Sequence, residues 1–353
     1  MLPPLRHLLV ALLAVPMLAR PSSGQLPAPP VVAGSSFEFG AYGAITVTSP
    51  EHPEEVERPA ISELVAALMA WGRISGRASY LVEVDMAKQT TATWTGRESD
   101  ERLAPVRMYL EFAAADLLRV RAGRFLTPFG RWNEYHAEPL TWTPTRPLTT
   151  YRPFAKSLTG IMLAGEASPG GIETGYALFW SPFPAWNEAF QEAEESAFGQ
   201  VLGGRIASEV HANLTLGLSL AVVQREVPEV ESDQESEPGE VEDHGRPLVG
   251  ADIAWSGANL DLSAESSFLP TGRGLPREAG IYLQGAFRLW SQVWAVGRAE
   301  YYEPVDGRPV RTGYAGLTIR ESRHFVVKLG RQFSRHPSEK LPGGWFLSLS
   351  SLF

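Results

Sequence analysis

Between residues 118 and 156 the chain gathers cations and large aromatics. Arg119, Arg121, Arg124, Arg131, Arg146, Arg152 and Lys156 are interleaved with Trp132, Tyr135, Trp142 and Tyr151. In a narrow, partly desolvated passage, guanidinium groups replace some of an anion's lost hydration with charge-assisted hydrogen bonds. On a segment that faces outward, the same arginines would meet only water or surface phosphates. These seven cations are therefore the candidate solute-binding residues.

Other chemistries find less support. The chain has no cysteine, which removes disulfides, thiolate nucleophiles and Cys-ligated metals. His52, His136, His211, His244, His324 and His336 fall in predicted loops or near turns. His136, beside Glu134 and Glu138, is the one cluster worth weighing for acid–base work, and a pore-loop hydrogen bond accounts for it. No enzymatic activity is expected. The acidic run Glu226 to Asp243 lacks the ligand spacing and internal Gly of an EF-hand loop and reads as a solvated connection, so no metal site is assigned. There is no phosphate-cradling loop or dinucleotide motif, hence no cofactor. Formal net charge is −9, which argues against a nucleic-acid partner.

The elements that must position the cations are strands. Leu214, Leu216, Leu218, Leu220 and Val222 oppose Asn213, Thr215, Gly217 and Ser219, and Phe325, Val327 and Leu329 oppose His324 and Lys328. This period of two gives each strand an apolar and a wet face. Such segments, roughly ten residues long, suit a membrane-spanning barrel with lipid outside and water inside. The wet faces carry Arg77, Arg107, Arg205, Arg288, Arg298 and Lys328, together with Glu83, Asp85, Glu111, Asp252, Asp261, Glu265 and Glu300. They read as polar lining, or as opposed rows that set a transverse field across a pore. The last segment, Trp345 to Phe353, alternates in the same way and ends on an aromatic.

Connections alternate between very short turns and long loops, as in barrels with short periplasmic turns and longer extracellular loops. The long ones include 88–103, 127–155 and the acidic 226–246. Splitting Ala60 to Met86 at Gly72–Gly76 gives sixteen strands. A helix over Ile61 to Trp71 would leave fourteen. Arg6 and His7 ahead of an apolar run to Leu18, then Ser22-Ser23-Gly24, read as a cleavable signal peptide over residues 1–24. The run falls short of the about 20 apolar residues that cross a bilayer. Residues 25–34 form a short periplasmic lead-in, and 35–353 the barrel. The fold expected is all-β, a transmembrane antiparallel β-barrel of sixteen strands in the bacterial outer membrane.

The segment Leu118-Arg-Val-Arg-Ala-Gly-Arg-Phe-Leu-Thr-Pro-Phe-Gly-Arg-Trp132 resembles a motif of the phosphate-selective porin O and P family: a charged strand, then Gly123-Arg124-Phe125, Thr127 and Phe129-Gly130. The resemblance implies a sixteen-stranded homotrimeric porin whose loop, here Thr127 to Ala155, folds into the lumen and narrows it. It would pass small hydrophilic solutes or inorganic anions and contact outer-membrane lipid and lipopolysaccharide. The loop departs from the lysine-rich clusters implied for phosphate selectivity, having one lysine at its edge. A barrel plugged by its own loop, acting in structure or adhesion, is the alternative.

Overall fold

A computed structural model describes residues 36–50, 60–92, 97–188, 198–225, 245–271, 277–304, 308–322, 324–335 and 343–353. The signal peptide and lead-in, His52, His244, His336 and the acidic run 226–244 lie outside the described residues. Sixteen strands are present among those described: β1 (Ser36–Pro50), β2 (Ala60–Arg73), β3 (Ala78–Ala92), β4 (Arg97–Ala115), β5 (Leu118–Leu126), β6 (Ser157–Ala167), β7 (Glu173–Ser181), β8 (Phe198–His211), β9 (Leu214–Arg225), β10 (Arg246–Ser256), β11 (Leu260–Leu269), β12 (Glu278–Arg288), β13 (Val293–Glu303), β14 (Val310–Arg320), β15 (Phe325–Arg335) and β16 (Gly344–Leu352). Each pairs antiparallel with its chain neighbours, and β1 pairs with β16 to close the barrel. Closure removes every free sheet edge, which a bilayer demands of a spanning sheet.

Ile61 to Trp71 is strand, and residues 74–77 make the turn that splits the long apolar segment. Val65, Ala67 and Met69 face inward beside Tyr42 of β1, so the period is two and the sixteen-strand count holds over fourteen. The expected long connection 88–103 is different. β3 and β4 stay paired up to Ala92 and Arg97, because Thr90, Thr91 and Ala92 still find strand partners. Arg77 sits exposed in the 74–77 turn and not on the wall.

The wall is apolar outside. Leu216, Leu218, Leu220 and Val222 are exposed, whereas Gly217, Ser219, Ala221 and Val223 between them are buried inside the barrel. Exposed aromatics form two belts: Phe37, Phe39, Trp290, Phe325 and Phe353 at the end with short turns, and Trp180, Phe268, Phe333 and Trp345 at the end with long connections. Such belts mark the two boundaries of a hydrocarbon layer. Leu218→Arg, near the middle of β9, is accordingly expected to cost about 2–4 kcal/mol of folding into lipid vesicles. A cost near zero would place this band outside the bilayer.

Candidate functional site

The loop between β5 and β6 enters the lumen through a narrow neck. Thr127 N–H donates to Lys156 O (2.9 Å), Thr127 Oγ1 to Ala155 O (2.5 Å), and Asn133 Nδ2 to both Thr127 O (2.7 Å) and Lys156 O (2.8 Å). The residues of the sequence motif build this neck. Gly123 has φ 127°, and a Cβ there would lie 2.3 Å from Met108 O. Gly130 has φ 70°, and its Cβ would lie 2.3 Å from a Glu265 carboxylate oxygen. Both positions suit glycine alone. Phe125 and Phe129 join Phe154, Leu158, Phe179, Val201, Val223, Leu248 and Leu269 in an apolar core inside the barrel, on its β5 to β11 side. On that side the lumen is packed with apolar side chains, where the sequence reading expects polar lining.

Past the neck, charges of the wall hold the loop by its backbone. Carboxylates take its N–H groups: Glu265 of β11 accepts from Arg131 N (2.9 Å) and Trp132 N (2.7 Å), and Glu300 of β13 from Thr149 N (3.3 Å). Cations of β13, β14 and β15 take its carbonyls: Arg298 holds Thr145 O, Arg320 holds Pro139, Leu140 and Thr141, and Lys328 holds Glu138 and Thr143. Trp142 Nε1 reaches Asp261 of β11 (3.0 Å), and its ring stacks with Trp294 of β13 and under Arg320. Many charges that read as lining are thus anchors for the loop. Each leaves few competing partners for the groups it holds, which is how buried polar groups are normally satisfied.

On the opposite side His136 projects to β1 and β3, not to Glu134 or Glu138. Its Nε2 lies 3.2 Å from both Glu83 Oε1 and Tyr42 Oη, and Tyr42 donates to the same Glu83 oxygen (2.8 Å). Arg107 of β4 pairs with the other Glu83 oxygen, and Lys156 with Asp85 (3.1 Å). Burial lowers the His136 pKa despite the Glu83 charge. Burial likewise lifts Glu138 to about 7, against the attraction of Lys156 and Lys328. A His–carboxylate–tyrosine cluster could in principle move protons, but here every member except His136 Nδ1 is spent on fastening loop to wall.

The candidate cations divide by location. Arg119 and Arg121 face the lumen from β5, paired with Glu166 (3.1 Å) and Glu111 (2.6 Å), and Arg121 lies over Tyr109. Arg131 stacks on Tyr135 at 4.4 Å. Glu134 is the meeting point: Arg205, Arg131 and Arg121 all act on its carboxyl, yet burial still raises its pKa. Arg205 is held in turn by Asp252, reaching it across Gly217, where a Cβ would lie 2.2 Å from that carboxylate. The remaining candidates stand elsewhere. Arg124 shares the outer face of Met108 and Thr159 and donates to Pro105 O (2.8 Å). Arg146 ties the loop to itself through Asn133 and Thr150, and Arg152 lies over Tyr151. Lys156 closes the neck on Asp85. Sequence reading missed Arg320, the last residue of β14. The signal that could have found the apolar core is Ala221-Val222-Val223, where β9 stops alternating.

No protein-family model matches the chain, and no curated protein is similar to it in sequence. Solved structures match its fold. OmpF of Salmonella typhi, in complex with daunomycin, superposes with a TM-score of 0.59 at 10% identity, over 90% of this chain and 97% of that one. OprB of Pseudomonas putida at high pH gives 0.59 at 11% identity, over 91% and 94%. An anion-selective porin from Comamonas acidovorans gives 0.58 at 12% identity, over 91% and 100%. At these identities the likeness establishes the fold alone, the closed antiparallel barrel that this chain shares with them.

Proposed function

We propose that the protein is a passive diffusion channel of the bacterial outer membrane, exported on the leader 1–24, in which the loop 127–155 sets the bore. The observation that supports this reading is the wall itself. Sixteen strands enclose a lumen, apolar outside and lined inside by charged side chains around one apolar cluster, with one loop folded through it. A barrel of this size encloses an aqueous channel unless something fills it. Small hydrophilic solutes would move down their gradient without chemistry, and lipid, lipopolysaccharide and two further copies of the chain are the expected neighbours, the last by resemblance to the porin O and P family.

Arg131 is the residue proposed to set charge preference, assisted by Arg119 and Arg121. Those two are ion-paired, whereas Arg131 forms no ion pair among the described residues. Its charge is therefore the least compensated near Glu134. Arg131→Glu is expected to move the reversal potential of the refolded channel, in a potassium chloride gradient, toward potassium. An unchanged potential in folded protein would sink the assignment.

One observation favours the plugged barrel as a second reading: loop anchors occur on β1, β3, β9, β11, β13, β14 and β15, nearly all round the wall. Absence of any conductance from folded protein would select it.

A further inference from the structure

Three cations on adjacent strands grip one stretch of the loop without a carboxylate between them. Arg298 donates to Thr143 Oγ1 (2.8 Å), Thr145 Oγ1 (2.7 Å) and Thr145 O (2.5 Å). Arg320 donates to the carbonyls of Pro139 (3.0 Å), Leu140 (3.2 Å) and Thr141 (3.0 Å). Lys328 donates to Glu138 O (2.6 Å), Thr141 Oγ1 (2.7 Å) and Thr143 O (3.3 Å). Lys328 thus shares Thr141 with Arg320 and Thr143 with Arg298, so it links the two arginines along residues 138–145.

None of the three forms an ion pair among the described residues, although Glu300, Asp261 and Glu138 lie near enough to act on them. Arg298 is 5% exposed and Lys328 fully buried, and Arg320 Nε has no hydrogen-bond partner. Burying cations out of direct contact with a carboxylate is costly, and neutral oxygens are weaker partners for them than an anion would be. The site is chemically suited to something other than its present occupant.

Building on the channel reading above, we propose that Arg298, Arg320 and Lys328 form a binding site for a small polyvalent oxyanion, filled by the oxygens of Thr141–Thr145 until such an anion displaces the loop from this wall. Two guanidinium forks and an ammonium match an oxyanion's several acceptors. An anion that binds only when the loop has left the wall shifts the docking equilibrium toward release, by as much as its preference for the released state. Release of residues 138–145 widens the bore, so the channel opens to an anion and not only to a gradient.

Sulfate serves as the probe, added to refolded full-length protein at constant ionic strength. Two readouts run in parallel: conductance in planar bilayers, and emission from a fluorophore on Pro144→Cys. Pro144 lies half-buried between two of the gripped threonines, and the label is unique because the chain has no cysteine. Sulfate is expected to raise mean conductance several-fold and saturably, with emission shifting over the same range. The R298Q/R320Q/K328M variant should begin at high conductance and ignore sulfate. Lys328→Met alone, the milder change, should weaken the sulfate response several-fold. An unmoved label in folded protein, or a triple variant that responds like the wild type, overturns the site. A label that shifts while no bilayer ever conducts would refute the channel reading and leave the anion site standing.

Discussion

Replacing residues 128–155 with a two-residue Asn-Gly turn is expected to raise single-channel conductance by about an order of magnitude, because a sixteen-stranded wall by itself leaves an aqueous channel. The excision is geometrically simple. Leu126 and Ser157 are cross-strand partners at the neck, so a tight turn can close β5 onto β6 without changing register. Its cost is exposure of the inner apolar surface. Phe125, Leu158, Phe179, Val201, Val223, Leu248 and Leu269 would lose Phe129 and Phe154 and face water. Hydrophobic constrictions resist wetting, so Val223→Thr in the shortened protein should add a further increase. Conductance equal to that of the full-length protein, with the barrel folded, would mean that the loop is not the constriction.

The strand period was legible because each strand has lipid on one face and a polar loop or water on the other. Leu214 to Val222 shows that pattern without reference to anything distant. The neck was legible through the motif residues Gly123, Thr127, Phe129 and Gly130, although their partners Met108, Lys156, Phe154 and Glu265 are distant in sequence. The work of the wall charges was not. Lys328 holds Glu138, Thr141 and Thr143 from nearly two hundred residues away, and no local period distinguishes an anchor from a solvated lining residue. The partner of His136 was hidden for the same reason, since Glu83 lies fifty-three residues away on β3. The packed side of the lumen was hidden because inward Val201, Leu248 and Leu269 belong to three separate strands, each contributing one apolar residue.

Glu265 is where the largest single-residue effect on loop docking is expected. Its carboxylate accepts from Arg131 N, Trp132 N and Tyr282 Oη (2.6 Å), and Trp132 and Tyr282 are buried around it. Glu265→Ala takes the acceptor from the N–H groups of Arg131 and Trp132, at about 1–3 kcal/mol for a buried donor such as that of Trp132, and leaves Tyr282 only its bond with Ser263. Gly130 beside the carboxylate has no side chain to replace it. The first turn of the loop, Trp132–Tyr135, should therefore leave the wall, while the barrel, whose ladders do not involve this side chain, stays closed. Limited proteolysis at Arg131 of folded protein is expected to become fast in Glu265→Ala and stay intermediate in Glu265→Gln, which keeps one acceptor oxygen. Gly130→Ala should reproduce the alanine result by the opposite route, pushing a methyl group against the intact carboxylate from a backbone at φ 70°. Loops equally protected in all three variants would show that docking is carried by the apolar neck and not by Glu265. The contrast between Glu265→Gln and Gly130→Ala then separates loss of the acceptor from loss of the space the acceptor needs.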